Sequence, residues 1–333
     1  MGPDPDALTP DGLRQLASSF QGCRVLLTAF ELDLFTALGD GPRTAAQVAA
    51  ACGADPRATD RLLHALVALG LLHHRGDTFA NPPAVDAHLV RGRPGFFSGL
   101  GHTAHLWHSW TGLTEAVRRG GTPAGAIDDR GEEWLAAFIA AMHDRARRTA
   151  PDLVACFDLD GVTRVLDVGG GSGVYSLAFV RARAGISATV FDLPNVVPLT
   201  RRYVAEAGLT DRVDTATGDY NTDPLPGGYD LVFLSAIVHG NSPAQNADLV
   251  AKCAAALRPG GRVAVVDFIM DEDRAAPAFG ALFALNMLVA TAAGDTYTER
   301  EVRAWMEGAG LGAITRRGTP FGTGLVVGRR SPD

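Results

Sequence analysis

The chain has 333 residues, 47% of them hydrophobic and 20% charged, a composition that fits a globular protein and excludes a disordered or fibrous one. Its length favours two domains over one. A net charge of −7 with no block of Lys or Arg argues against a nucleic-acid partner.

Cys23, Cys52, Cys156 and Cys253 lie far apart and form no CxxC pair, so neither a disulfide framework nor a zinc knuckle is expected, and a reducing cytoplasm fits best. The acidic, proline-rich opening Met1-Gly-Pro-Asp-Pro-Asp6 reads as neither a secretory signal nor a transit peptide. The greasiest stretch, Ala278 to Ala293, contains Asn286, falls short of a membrane span and reads as a buried helix.

From Leu13 to Leu38 apolar residues recur at helical spacing (Leu16, Phe20, Val25, Leu27, Phe30, Leu34), which predicts one long helical region with a largely buried face. A helix capped by Thr44 and closed by Gly53 follows, then a second from about Pro56 to Leu69. Leu71 to Phe79 reads as strand, Gly-Asp turn and strand. Helix, turn, helix, hairpin is the outline of a winged helix, which serves either DNA binding or packing and dimerisation. Only Arg57 and Arg61 on the second helix are obvious phosphate partners, and acids outnumber bases in residues 1 to 110, so the packing role is preferred.

Residues 96–158 read as a helical linker, broken by the loop Gly120-Gly-Thr-Pro-Ala-Gly125. His102, His105 and His108 lie three apart along one helix, but each step drifts about 60° around the axis and no acid or cysteine completes a set, so no metal site is expected. After Thr163 strands alternate with helices: Arg164 to Val168, Ala188 to Phe191, Val213 to Ala216, Tyr229 to Leu234, Arg262 to Phe268, and a final pair near Ala313 to Arg317 and Gly324 to Gly328. That alternation predicts an α/β domain with a doubly wound, Rossmann-like seven-stranded sheet over residues 159–333.

The run Asp167-Val-Gly-Gly-Gly-Ser-Gly173 joins the first of these strands to a helix. Gly169 and Gly171 let a ligand lie against backbone N–H groups at the positive end of the helix dipole. Counted from Gly169, the sixth position is Val174, which departs from the GxGxxG fingerprint of dinucleotide enzymes. Asp192 after the next strand suits a ribose, and Asp219 after the one beyond suits the exocyclic amine of adenine.

Val165-Leu-Asp-Val-Gly-Gly-Gly-Ser-Gly173, Phe191-Asp-Leu-Pro-Asn-Val196, Gly218-Asp-Tyr220 and Leu257-Arg-Pro-Gly-Gly-Arg262, in that order, resemble the class I S-adenosylmethionine-dependent methyltransferases. More narrowly, the chain is similar to small-molecule O-methyltransferases of the caffeic acid and acetylserotonin type, which carry an N-terminal winged-helix dimerisation domain. The resemblance implies a mainly α dimerisation domain over 1–95 and a homodimer. It also implies S-adenosylmethionine held by Asp167, Gly169, Gly171, Asp192, Leu193, Asp219, Tyr220 and Ser235. His239 would be the general base, oriented by Asp267, with a pocket histidine that orients substrate as the alternative. The family's His-Asp-Trp is His239-Gly240-Asn241 here, and Thr296 stands where a second family acid is expected. Phe138, Met142, Phe283, Asn286, Met287 and Thr291 would line the substrate pocket. Methylation at carbon or nitrogen, a cofactor-binding enzyme that transfers no methyl, a winged-helix regulator and a nicotinamide dehydrogenase are the competing readings.

Overall fold

The computed structural model describes residues 8–122 and 131–333, so the opening Met1–Asp6 stretch and residues 123–125 of the glycine loop lie outside the described residues. The chain divides into two compact units, 2–107 and 108–333.

In the first unit the expected single helical region is three helices, Pro10–Ser18, Phe20–Glu31 and Leu34–Ala37. The chain breaks at Ser19 and again at Asp33, which takes a left-handed conformation (φ 55°) that an α-helix does not continue through. The buried face is also shorter than the periodicity suggests. Helix Pro10–Ser18 buries nothing, whereas Leu27, Phe30, Leu34 and Phe35 are buried.

Helix Ala45–Cys52 starts where the sequence places it. The Thr44 hydroxyl accepts from the Gln47 N–H, the Gln47 side chain accepts from the Thr44 N–H, and Gly53 closes the helix at φ 64°. Helix Pro56–Ala68 buries Leu63 and Leu66. The hairpin strands β2 (His73–Arg75) and β3 (Thr78–Ala80) pair antiparallel, and β3 also pairs with a two-residue strand β1 (Arg43–Thr44). That third strand, order β1-β3-β2, completes the winged-helix sheet and is too short to leave a periodic signal.

The second unit is built on a sheet of β4 (Arg164–Val168), β5 (Ser187–Asp192), β6 (Val213–Thr217), β7 (Tyr229–Ser235), β8 (Leu257–Asp267), β9 (Leu311–Gly318) and β10 (Gly324–Arg330). Its order is β6-β5-β4-β7-β8-β10-β9. The first five strands in that order run parallel, and β10 is antiparallel to both β8 and β9. Two apolar clusters build around it, one including Leu166, Val232, Leu249 and Tyr297 and the other including Val165, Phe179, Phe233 and Leu231. Strand residues alternate between the two clusters, as the period of two requires.

Between β4 and β7 the winding reverses. The chain moves outward through β5 and β6, then crosses back to β7, leaving a crevice at the carboxyl ends of β4 and β7 where open α/β sheets bind ligands. None of the helices among the described residues is long and apolar enough to cross a membrane.

Candidate active site

Strand register decides what meets at that crevice. Val168 pairs with Phe191 on one side and Leu234 on the other, Asp192 pairs with Thr217, and Ser235 with Val266. The residues just past these pairs therefore emerge along one edge in the order Asp219, Asp192, Gly169, Ser235 and Asp267. Neighbouring strands are roughly 4.8 Å apart, so the edge is long enough for an extended ligand.

At the centre the Gly169 N–H donates to the Phe191 carbonyl (2.8 Å), and the turn closes with the Gly173 N–H on the Gly170 carbonyl (2.8 Å). Side chains are excluded here. A Cβ on Gly169, which sits at φ 66°, would strike Ile237, and one on Gly170 would lie 2.7 Å from the Asp167 carboxyl carbon. Asp167 itself is buried beneath the turn, where the Ser176 hydroxyl donates to it (2.8 Å). Burial, with the Asp192 charge adding to it, pushes the Asp167 carboxyl up to about 7.

Asp192 faces the turn. Its carboxylate accepts from the Gly171 N–H (2.7 Å) and the Leu193 N–H (2.8 Å), while burial raises its pKa against those two bonds. Each carboxylate oxygen keeps a lone pair for a further donor, as a ribose diol requires. The Leu193 side chain is exposed. Asp219 uses one oxygen to accept from the Asn221 N–H (2.8 Å) in its own turn. Tyr220 is half-buried beside the glycine turn, and its hydroxyl donates to Asn241 (3.3 Å).

The other half of the edge carries the histidine. After Ser235 the chain turns through Ala236, a non-glycine residue at φ 57°, into a short 3₁₀ turn Val238–Gly240. His239 is thereby set against Asp267. Its Nδ1 lies 2.9 and 3.0 Å from the two carboxylate oxygens, and its backbone N–H points at the same group (3.4 Å). The side chains are 16% and 3% exposed. A ring nitrogen held on a carboxylate carries the proton, so Nε2 is left as the basic lone pair.

The turn under His239 is fixed by a buried polar network. Asn241 Nδ2 donates to Asn246 Oδ1 (3.1 Å), Asn246 Nδ2 donates to the Val238 carbonyl (2.8 Å), and the Tyr297 hydroxyl donates to the Asn241 carbonyl. Thr296, at the position of the expected acid, is buried with its hydroxyl toward the Gly280 carbonyl (3.4 Å), so Asp267 alone orients the imidazole.

Helix Ala278–Ala290 presents Phe283 edge-on to the His239 ring, with centroids 4.8 Å apart. Asn286 and Met287 follow one turn later, and Asn286 accepts from the indole N–H of Trp110. Met287 is buried. The Thr291 hydroxyl closes the helix, donating to the Met287 carbonyl (2.7 Å) and accepting from the Gly294 N–H (2.8 Å). Phe138 and Met142 sit on helix Glu132–Ala146, where Phe138 stacks on Trp134. The same helix reaches the glycine turn through Ile139, whose Cδ1 is 3.5 Å from where a Gly171 Cβ would lie, and through His143 Nδ1, 2.9 Å from the Ser172 hydroxyl. Sequence reasoning missed Ile139, His143, Ile237, Asn241, Asn246 and Trp110. Asn241 and Asn246, five apart across a Ser-Pro helix start, lie in a run already rich in polar residues, so their burial left no signal in the sequence. Among the described residues no group of three His, Cys, Asp or Glu is placed to hold a metal ion.

A parallel sheet whose switch point carries a side-chain-free turn, flanked by acids on one side and a histidine–carboxylate pair on the other, defines an enzyme that binds a nucleoside cofactor and reacts at its far end. Residues 110–312 match the O-methyltransferase domain and residues 14–91 the O-methyltransferase dimerisation domain. Two relatives are 35% identical: a 3-hydroxy-5-methyl-1-naphthoate 3-O-methyltransferase of Streptomyces sahachiroi, over 98% of this chain and 97% of that protein, and the tetracenomycin polyketide synthesis 8-O-methyl transferase TcmO of Streptomyces glaucescens, over 99% of each. Among solved structures, PigF with SAH aligns with a TM-score of 0.90 at 28% identity over 97% of this chain and all of that one. Human N-acetylserotonin methyltransferase in complex with SAM aligns at 0.86 and 27% over 99% and 100%. The chain belongs to the O-methyltransferase family, and it is an S-adenosylmethionine-dependent methyltransferase. The glycine turn's open backbone and the spare lone pairs of Asp192 fit that cofactor.

With the amino-acid end of the cofactor laid against the glycine turn, as the sequence predicts, Asp167 is expected to make cofactor affinity pH-dependent. Its raised pKa means that the free protein holds a proton there below about pH 7, whereas a nearby ammonium favours the ionised form. The sign follows: S-adenosylhomocysteine binding releases a proton near neutrality and tightens as pH rises from 6 to 8. Calorimetry in buffers of different ionisation enthalpy reads this directly, and Asp167→Asn should flatten the dependence.

Proposed function

We propose that the protein methylates a hydroxyl of a small aromatic or polyketide-like natural-product intermediate, with His239 as general base. The observation that carries this reading is the contact of His239 Nδ1 with both Asp267 oxygens, which leaves Nε2 without a partner among the described residues, beside the aromatic wall of Phe283. The substrate class is supported by the naphthoate and tetracenomycin relatives and by a mitomycin biosynthesis 6-O-methyltransferase of Streptomyces lavendulae.

The bound cofactor supplies a methyl group on a sulfonium centre. The protein's own part is alignment and proton removal. Asp219 and Tyr220 serve the adenine, Asp192 with Leu193 the ribose, and Asp167, Gly169, Gly171 and Ser235 the amino-acid end, which brings the reacting end toward the β7 side of the edge. His239 Nε2 accepts the hydroxyl proton as the oxygen attacks, and Asp267 stabilises the imidazolium that results. Phe138, Met142, Phe283, Asn286, Met287 and the methyl of Thr291 enclose the ring system and keep water out. A nitrogen acceptor is the second reading, favoured by a relative 33% identical over 78% of the chain that is named as an N,N-dimethyltransferase.

Residues 1–95 are assigned to homodimerisation, residues 96–158 to a helical linker that adds pocket residues, and 159–333 to the cofactor domain. Leu13 and Leu16, three apart on helix Pro10–Ser18, and Phe20 at the start of the next helix support the dimer, since all three are more than half exposed in the single chain. No nucleic-acid role is assigned, because acids outnumber bases in residues 1 to 110. Four free cysteines fit a reducing cytoplasm.

His239→Ala should lower kcat for a phenolic substrate by roughly 10²-fold while leaving cofactor affinity within about twofold. Undiminished turnover would reduce His239 to a pocket residue. In size-exclusion chromatography with light scattering the chain should elute at twice its 34.9 kDa mass, and a stable monomer would contradict the dimer.

A further inference from the structure

Taken alone, the amide of Asn286 can donate or accept. Its surroundings remove that freedom. The indole N–H of Trp110 points at the Asn286 Oδ1. An indole nitrogen can donate but never accept, so the amide orientation is not arbitrary: the oxygen must face Trp110 and the NH₂ must turn away from it. Among the described residues Asn286 Nδ2 donates to no protein group.

The position of this donor relative to the base is set by the helix. Phe283 and Asn286 are three residues apart on helix Ala278–Ala290, so they share a face, and Phe283 is the ring that packs edge-on against His239. Asn286 therefore lies one turn, about 5.4 Å along the axis, from the ring against the base. Both partners are half-buried, where a polar group that meets no complement costs more than it does in water.

We propose that Trp110 is a specificity-determining positioning residue: it fixes Asn286 as a hydrogen-bond donor, so the enzyme selects substrates that carry a carbonyl or carboxylate oxygen across the ring system from the hydroxyl to be methylated. The inference rests on the hydroxyl-methylation reading above and sharpens its substrate class. A substrate with an amino or ammonium group at that place sets donor against donor and leaves both unpaired. Trp110 never touches the reacting atoms in this account. It acts by denying Asn286 the flip that would accommodate the other substrate.

The test uses hydroxynaphthalenes in matched pairs that differ in one substituent, an acetyl group in one member and an ammoniomethyl group in the other. Two readouts are taken on the full-length enzyme: kcat/KM with S-adenosylmethionine, and dissociation constants by calorimetry in the presence of S-adenosylhomocysteine. The native enzyme should prefer the acetyl member by roughly tenfold or more in both. Trp110→Phe keeps the aromatic packing but frees the amide to flip, and should bring the preference to within about threefold. Asn286→Asp, which keeps an oxygen on the indole and turns the second oxygen outward, should reverse it. Equal affinity of the native enzyme for the two members, or an unchanged preference in a folded Trp110→Phe protein, would overturn the inference. Tighter binding of the acetyl member without methylation of either would sustain it and instead bring down the hydroxyl-methylation reading.

Discussion

The turn at Gly169–Gly173 is the constraint on which the rest of the site depends. It has to pass between a buried carboxyl below and Ile237 beside it, and no side chain fits at either of its first two positions. That close fit ties together three strands. The turn's own N–H groups reach the Phe191 carbonyl and Asp192 on β5, and Ile237 comes from the loop after β7. A cofactor-sized ligand finds open backbone there because the protein has already filled everything around it. The cost is the burial of Asp167, whose charge is disfavoured there.

A second device holds the β7 side of the edge. His239 lies on a short turn entered through a left-handed alanine, a conformation that must be held in place by its surroundings. Asp267 holds the ring, and the Asn241–Asn246 pair with Tyr297 holds the backbone. Since Tyr220 donates to Asn241, one hydrogen-bonded path runs from the loop after β6 to the turn beneath His239. Gly240 and Asn241 follow His239 where the resembled family has acid and tryptophan, and Asn241 joins Asn246 in a buried amide pair. The orienting carboxylate is kept, and the scaffolding around it is different.

Much of this was legible in the sequence because it rests on local rules. The Thr44 cap with Gln47, the Gly53 stop, the seven strands and the order of Gly169, Asp192, Asp219, His239 and Asp267 follow from spacing and turn chemistry. The rest depends on contacts distant in sequence. Periodicity cannot reveal that Asp33 breaks a helix, that Arg43–Thr44 pairs with β3, or that Trp110 meets Asn286 across 176 positions. The single buried face expected from Leu13 to Leu38 failed for a physical reason as well: apolar spacing records that a face is to be covered, and Leu13, Leu16 and Phe20 are not covered within one chain.

The central claim is that this sheet edge binds S-adenosylmethionine in a fixed direction, with Asp192 on the ribose. Isothermal calorimetry of the native protein and of Asp192→Ala, each titrated with S-adenosylmethionine and with NAD, tests it most directly. The account predicts binding of S-adenosylmethionine alone by the native protein and at least about a hundredfold weaker binding by a folded Asp192→Ala variant. Equal affinity of the two proteins for S-adenosylmethionine would contradict it.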